Sequence, residues 1–496
     1  MNARNITIGV DIGTTGTKVI AFNSDSGAIV AASRESALFS SGPGVAEASC
    51  QEWLANVLDG ISEVLASSNV DPTQVGAIST TGMVPAVVIL GADGSPLRHA
   101  ILQSDSRAGS EIDVVRSAVG ESDPLGSTGS AVTQQSVAPT IMWLRAHEPD
   151  TLREMRHIVG GYDWILMALG ARPHVEQNWA IESGLYRLTG DPFTPAREVA
   201  EIDDAMLPPV ENPGSVVGLL RADYARQLGL PADVALVVGG ADHVLSAYSA
   251  GVRAPGDWLV KLGGAGDILI ATPTPLTDAR LYLDAHPVEG VWLPNGCMAT
   301  SGSLIRWFQA LIGGVDLTLL DAEASEAPVA ASFCVPYFLG EKSPLHDPDL
   351  RGAFAGLHLG TTRGSLYRSV LESIAFGFRH HADVFRELGV PLERAMVTNG
   401  GSKSTLWKQI HADVLGTPLN PIVDHPGASL GAAVIAAFGV GQIQSLSEID
   451  RYVTLGPQVV PDPDRSRQYD EAYTAWRTFS EALTPTSHYF ARRATP

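Results

Sequence analysis

The chain has 496 residues, 45% of them apolar and 18% charged, which predicts a folded protein of two or three domains and excludes intrinsic disorder. Its 54 acidic against 33 basic residues give a formal net charge of −21, so nucleic-acid and anionic-membrane partners are not expected and any anionic cofactor must be met locally, by backbone dipoles and a metal ion. Cys50, Cys297 and Cys334 lie far apart without metal-ligand spacing, and neither a signal peptide nor a membrane-length apolar run is visible, so a cytoplasmic protein is expected.

The first predicted element is a strand–turn–strand from Ile8 to Phe22. An apolar run leads into Asp11-Ile12-Gly13-Thr14-Thr15-Gly16-Thr17-Lys18, and another leaves it. Small residues there let backbone N–H groups close on an anion, and the threonine hydroxyls add donors. Asp11 at the mouth suits a hydrated Mg²⁺, which takes one or two carboxylates and keeps most of its waters. The Walker spacing is absent, and a strand follows rather than a helix. The alternative reading is an ordinary Gly/Thr hairpin in which Asp11 bonds its own backbone. Lys18 either neutralises phosphate or faces solvent from its strand. Asn23-Ser24-Asp25-Ser26-Gly27 predicts a hairpin turn. Gln51 to Ala66 carries Trp53, Leu54, Val57, Leu58, Ile61 and Leu65 at helical spacing. Val75 to Leu90 reads as strand, loop and strand, and helical patterns recur to about residue 170.

Ala235 to Val238 predicts a buried strand ending in Gly239-Gly240-Ala241-Asp242-His243. Asp242, in a glycine-lined turn before a helix, is either a general base or a helix N-cap. A second strand–turn–strand follows: Asp257 to Leu262, the turn Gly263-Gly264-Ala265-Gly266-Asp267, and Ile268 to Ala271. It echoes the first unit, and two such halves facing each other would grip a phosphate chain from both sides; chance likeness of glycine-rich turns is the alternative. Ala299-Thr300-Ser301-Gly302-Ser303 precedes an amphipathic helix. Thr398-Asn399-Gly400-Gly401-Ser402 ends a strand and opens a helix whose N-terminus favours negative charge, with Gly400 and Gly401 admitting a ligand close to the backbone. Gly427 to Ala433 opens a small-residue helix suited to close packing, and Arg465 to Leu483 predicts a final helix. Trp143, Trp164, Trp307 and Trp407 are expected in the core or in packing, not on a ligand.

Taken in order, these segments resemble the FGGY family of carbohydrate kinases, and within it the xylulokinases, over residues 5 to 485. The carrying blocks are Asp11 to Lys18, Gly44-Val45-Ala46-Glu47 with Trp53, and Ala138 to Leu144, where Thr140 replaces a usual Lys. They continue with Gly239 to Asp242, Pro336 to Pro344 with Asp347-Pro348 and Arg351-Gly352, Gly356 to Arg363 through Glu372, and Asn399 to Trp407. The resemblance implies an α/β fold of two actin-like (ribonuclease-H-like) domains, residues 1–247 and 248–496, with the active site in the cleft. It also implies ATP and Mg²⁺ as cofactors and a small sugar or polyol as substrate, and it allows a homodimer.

By that resemblance Asp242 is the general base and Asp11 the metal carboxylate. Gly13, Thr14, Thr15, Lys18, Gly263, Gly264, Gly302, Gly400, Gly401 and Ser402 would hold ATP. Met83, Val84, Pro85, Gln103, Asp105, Asp242 and His243 would face the sugar. The chain departs from the family in two places. Gly264 and Ala265 lack the hydroxyls usual in the second phosphate turn, a loss of about 1.5–3 kcal/mol per donor to a charged oxygen. Asp267 beside that turn is read either as a metal ligand or as a strand cap. Val84 and Pro85 stand where polar residues are usual, which points to an acceptor less polar at its non-reacting end, unless Gln103 or His243 hydrogen-bonds it. The expected function is ATP-dependent phosphorylation of a ketopentose such as D-xylulose. Ribulose, a deoxy-ketose, a tetritol or an aldonate are alternative acceptors, and a sensor that has lost catalysis is the alternative class.

Overall fold

Ile6–Ile12 (β1) is an almost unbroken apolar run, and it is buried on both faces of a sheet. The turn after it returns the chain as Gly16–Asn23 (β2), antiparallel to β1 with Asp11 opposite Lys18. Ile29–Glu35 (β3) continues the meander after the Asn23–Gly27 turn, where the Asn23 side chain accepts from the N–H groups of Asp25 and Ser26. Cys50–Leu65 (α1) starts at Ser49, whose hydroxyl accepts from the Glu52 N–H, and packs Trp53, Val57 and Ile61 into the core. Val75–Gly82 (β4) runs parallel to β1, Val216–Leu219 (β5) forms an edge, and Ala235–Ala241 (β6) lies parallel to β4. The sheet order is β5-β6-β4-β1-β2-β3. The computed structural model behind this description covers residues 4–494, Pro43 and His425 excepted.

A second sheet repeats the plan. Asp257–Leu262 (β7) and Gly266–Ile270 (β8) form the hairpin, Tyr282–Ala285 (β9) and Trp292–Met298 (β10) extend the meander, and Arg394–Thr398 (β11) and Leu419–Val423 (β12) lie parallel on the other side of β7. Thr454–Leu455 (β13) closes the edge, giving the order β9-β10-β8-β7-β11-β12-β13. In each sheet an antiparallel run, three strands in the first and four in the second, lies on one side of two parallel strands, so the echo between the two hairpins is a true repeat of topology. The turn is shorter than expected: only residues 263–265 lie outside strands, and Gly266 and Asp267 belong to β8.

Helices fill the outside and the seam. Gln177–Ser183 (α2), Asp242–Ser249 (α3), Gly302–Leu311 (α4), Leu317–Ser325 (α5), Arg363–Glu387 (α6) and Thr405–Leu415 (α7) take part in the site. Ala428–Gly439 (α8) crosses back from the second sheet to lie on β1, and its residues join the core of the first sheet. This contact needs Gly9: a β-carbon there would sit 2.1 Å from the Ser429 carbonyl oxygen. Pro463–Ala482 (α9), the expected final helix, packs Tyr469 and Trp476 into the second core, and Thr484–Ala494 (α10) follows it. Among the described residues no helix is long and apolar enough to cross a membrane.

Candidate active site

Two cavities meet at the β7–β8 turn, the smaller between the two halves of the molecule and the larger within the second half. The smaller, about 260 Å³, takes Met83, Val84 and Gln103 from the first half together with Asp242 and His243 at the start of α3. Lys261, Ala265 and Asp267 from the β7–β8 hairpin face them, with Tyr282, Asn295, Cys297 and Lys342 beyond. The larger, about 800 Å³, is walled by Gly263 and Gly264 of the same turn, Gly302 and Arg306 of α4, Asp321 of α5, Tyr367 of α6, and residues 399–401 and 403–407. Both lie past the C-terminal ends of parallel strands, where open α/β sheets bind ligands.

Asp242 is the first helical residue of α3, and Ala241 before it is the cap, with no side-chain cap bond. It is thus a first-turn acid rather than the N-cap, and its carboxylate also meets the His243 backbone N–H. It sits 3.4 Å from His243 Nδ1. Burial alone would raise the Asp242 carboxyl, but hydrogen bonding to His243 and the charge of Lys261 outweigh it and bring it down to about 2. Asp11 behaves in the opposite way. Burial, then the nearby charge of Asp242, push its carboxyl up to about 7, while Lys261 and Lys18 act against them. The two carboxylates thus sit in environments that drive them apart, Asp242 held ionised and Asp11 raised. Among the described residues no donor hydrogen-bonds to Asp11. A carboxylate is a ligand type that Mg²⁺ takes, so Asp11 fits that ion.

Lys261 was not anticipated, although one lysine within the apolar strand Trp258-Leu259-Val260-Lys261-Leu262 was a readable signal. It pairs with Asp267 across the hairpin at 3.1 Å. Burial would lower the ammonium, but the charges of Asp267 and Asp242 raise it, so it stays positive at the junction of the cavities. Asp267 is thus the cross-strand partner of Lys261, a role that neither reading from the sequence had given it. Lys18 is not solvent-facing either: its ammonium donates to the Pro426 carbonyl at 2.6 Å, tying β2 to the segment before α8.

The phosphate turns differ in detail from expectation. Gly13 closes the first hairpin, its N–H donating to the Gly16 carbonyl at 2.9 Å, with Thr14 half-buried and Thr15 exposed beside it. At the second, the N–H groups of Gly302 and Ser303 donate to the carbonyls of Gly263 and Gly264 at 2.8 and 3.1 Å. The start of α4 therefore braces the turn, and the Gly302 N–H is already committed. Gly401 lets the chain pass Trp407, whose ring would lie 2.0 Å from a β-carbon. Trp407, expected only as core, is both buried and part of the larger cavity's wall. Ser402 does not line that cavity; its hydroxyl and N–H both return to the Asn399 carbonyl, at 2.6 and 3.0 Å.

The expected sugar contacts also divide. Met83, Val84, Gln103 and His243 line the small cavity, and Pro85 does not. Asp105 is withdrawn from it: Arg107 grips both carboxylate oxygens at 2.9 and 2.7 Å, and the Ala46 N–H donates to one of them at 2.7 Å. Glu182, Asp284 and Asn295 were missed. They come from α2, β9 and β10, so no sequence spacing links them to Asp242 or to each other.

Models of the FGGY family of carbohydrate kinases match both halves, the N-terminal domain over residues 6–249 and the C-terminal domain over 260–440. The chain belongs to the FGGY family of carbohydrate kinases. This FGGY kinase is 26% identical to a xylulose kinase of Staphylococcus epidermidis over 95% of this chain and 96% of that one. It is 38% identical to a xylulose kinase of known crystal structure from Rhodospirillum rubrum, with a TM-score of 0.90 over 97% of this chain and 99% of the other. It also shares its fold, at 21% identity and a TM-score of 0.92, with a gluconate kinase from Lactobacillus acidophilus, over 98% and 99% of the two chains. Two actin-like domains enclose the site, and the enzyme transfers phosphoryl from ATP to a small sugar with Mg²⁺. When bound, the metal ion neutralises charge on the terminal phosphates.

Proposed function

We propose that this enzyme phosphorylates a hydroxyl of a ketopentose of the D-xylulose type, with Asp242 accepting the hydroxyl proton. The observation that carries this is the meeting of the two cavities at the β7–β8 turn. A sugar in the small cavity lies beside Asp242, and ATP in the large one directs its phosphates past Gly263 and Gly264 toward Lys261. Asp11 holds Mg²⁺ on the opposite hairpin, where Gly13, Thr14 and Thr15 face the phosphates. Gly400 and Gly401 admit the adenosine end. Transfer then rests on alignment and on charge already in place. The two lobes are residues 1–247 and 248–496, with α8 crossing back over the first.

A cavity of about 260 Å³ is below the range usual for drug-sized ligands and suits a sugar of a few carbons. Its wall supports a fully hydroxylated acceptor over a deoxygenated one. Met83 and Val84 cover one side, but Gln103, Gln135, Tyr282, Asn295 and Lys342 supply polar groups, and the Gln103 carbonyl oxygen is buried with no donor. An acceptor hydroxyl satisfies it, which is worth about 1–3 kcal/mol against an analogue lacking that hydroxyl. The xylulose kinases among the similar proteins support the same choice. Dependence on ATP and the free thiols of Cys50, Cys297 and Cys334 support a cytoplasmic setting. A homodimer rests on family resemblance and is read by light scattering.

The test is ADP release with MgATP against D-xylulose, ribulose, deoxy-ketoses, tetritols and aldonates. D-xylulose should give the highest kcat/KM; a deoxy-ketose or an aldonate above it overturns the choice of acceptor. Asp242→Asn should lower kcat by about 10²–10⁴ with ATP binding retained. Unchanged turnover in that variant removes Asp242 from the role of base.

A further inference from the structure

Behind Asp242 lies a chain of buried polar groups that phosphoryl transfer as described above does not use. His243 Nδ1 is 3.4 Å from Asp242. His243 Nε2 is 2.7 Å from Asp284 Oδ2, and Glu182 Oε1 is 3.6 Å from the same nitrogen. Asn295 donates its amide to that Asp284 oxygen at 2.7 Å. The other Asp284 oxygen and Glu182 Oε1 are both buried and without a donor, and the ligand atoms of Glu182, His243 and Asp284 fall within 4.8 Å of one another. Two neighbouring carboxyl groups lacking donors are both satisfied if they share one proton. The groups come from both halves of the molecule: Glu182 on α2 and His243 on α3, Asp284 on β9 and Asn295 on β10.

We propose that Glu182, Asp284 and His243 are positioning residues, a fixed hydrogen-bonded chain across the lobes that holds one oxygen of Asp242 and leaves the other facing the acceptor hydroxyl. The inference rests on the reading of Asp242 as base. Glu182 is the neutral acid of the chain, its proton directed to Asp284, because burial and the Asp284 charge raise it well above the ordinary carboxyl value. His243 is held as an imidazolium. Burial would lower it, but Asp284 and Asp242 on its two sides raise it well above its usual value, with Lys261 and Asp267 facing from the opposite hairpin. Both ring nitrogens then donate to carboxylates, so His243 is committed to orienting the base and is not a free donor to the sugar. The proton released from the acceptor hydroxyl goes to Asp242 alone; no other group in the chain changes its proton count.

Nitrogen-15 NMR of histidine-labelled full-length enzyme reads this directly, the His243 signals being those absent from His243→Asn. They should report an imidazolium at pH 8; a neutral imidazole overturns the proposal. In turnover, Asp284→Asn should lower kcat about 10²-fold with little change in the KM for ATP. The double variant His243→Asn with Asp284→Asn should be no worse than His243→Asn, since Asp284 acts through His243. Multiplied losses overturn the chain. Glu182→Gln, whose amide still donates to Asp284, should lose less than Glu182→Ala; equal losses deny Glu182 its place. If Asp242→Asn keeps its activity while His243 is an imidazolium, the base assignment fails and the chain stands. The reverse pair of results fails the chain alone.

Discussion

Several ionisable side chains here are set by burial rather than by surface chemistry, and His411 shows the consequence for stability. It is fully buried on α7, its Nδ1 bonds the Trp407 carbonyl at 2.9 Å, and its Nε2 has no partner. Burial pulls its pKa down to about 4. In the unfolded chain the imidazole titrates near 6.5, so between pH 6.5 and 4 the unfolded state binds more protons than the folded one. The folded state therefore loses stability from His411 as the pH falls through that window, and keeps it above. His411→Leu should be less stable than the parent at pH 7.5, and the gap in Tm should narrow by pH 5; a constant gap removes His411 from the acid response. Residues of this kind were poorly visible in the sequence. His411 and Lys261 differ from solvent-facing residues only in what surrounds them, and Asp105 is turned from the cavity by Arg107 two residues on, an i,i+2 pair whose geometry the sequence does not set.

At the scale of elements, close approach of backbone to ring shapes the larger cavity, the proposed nucleotide site. The stretch from Asn399 to Trp407 turns only because Gly401 leaves room for the indole, and the same turn lines the larger cavity. Gly401→Ala places a methyl group into a buried tryptophan, at a cost of about 1–3 kcal/mol of overpacking. It should raise the KM for ATP several-fold and lower Tm, with the KM for the sugar little changed. Equal effects on both substrates would mean that the turn serves the fold and not the nucleotide. Hairpins and helices of this type were legible because strand runs, turn residues and helical spacing are local. The extent of the second turn was not. Asp267 reads as a turn residue until its cross-strand partner Lys261 is known, and that partner holds it in β8.

At the scale of the whole molecule, division of the chain at residue 247 is not division of the core. Helix α8 belongs by sequence to the second half and by packing to the first, seated on β1 over Gly9. A fragment of residues 1–247 leaves that face of the sheet uncovered, so it should show no cooperative thermal transition by circular dichroism. A sharp transition for that fragment would mean that the first lobe closes its core without α8. By itself the sequence determined the strand-and-turn units and the family, because each is written in short stretches of neighbouring residues. Only the tertiary structure decided that Lys261 sits between the cavities, that α8 crosses the seam, and that Glu182 and Asp284 stand behind His243. Apart from the Lys261–Asp267 pair, those are contacts between residues some 40 to 430 positions apart, whose geometry depends on how two sheets pack and on charges that matter only once water has been removed from between them.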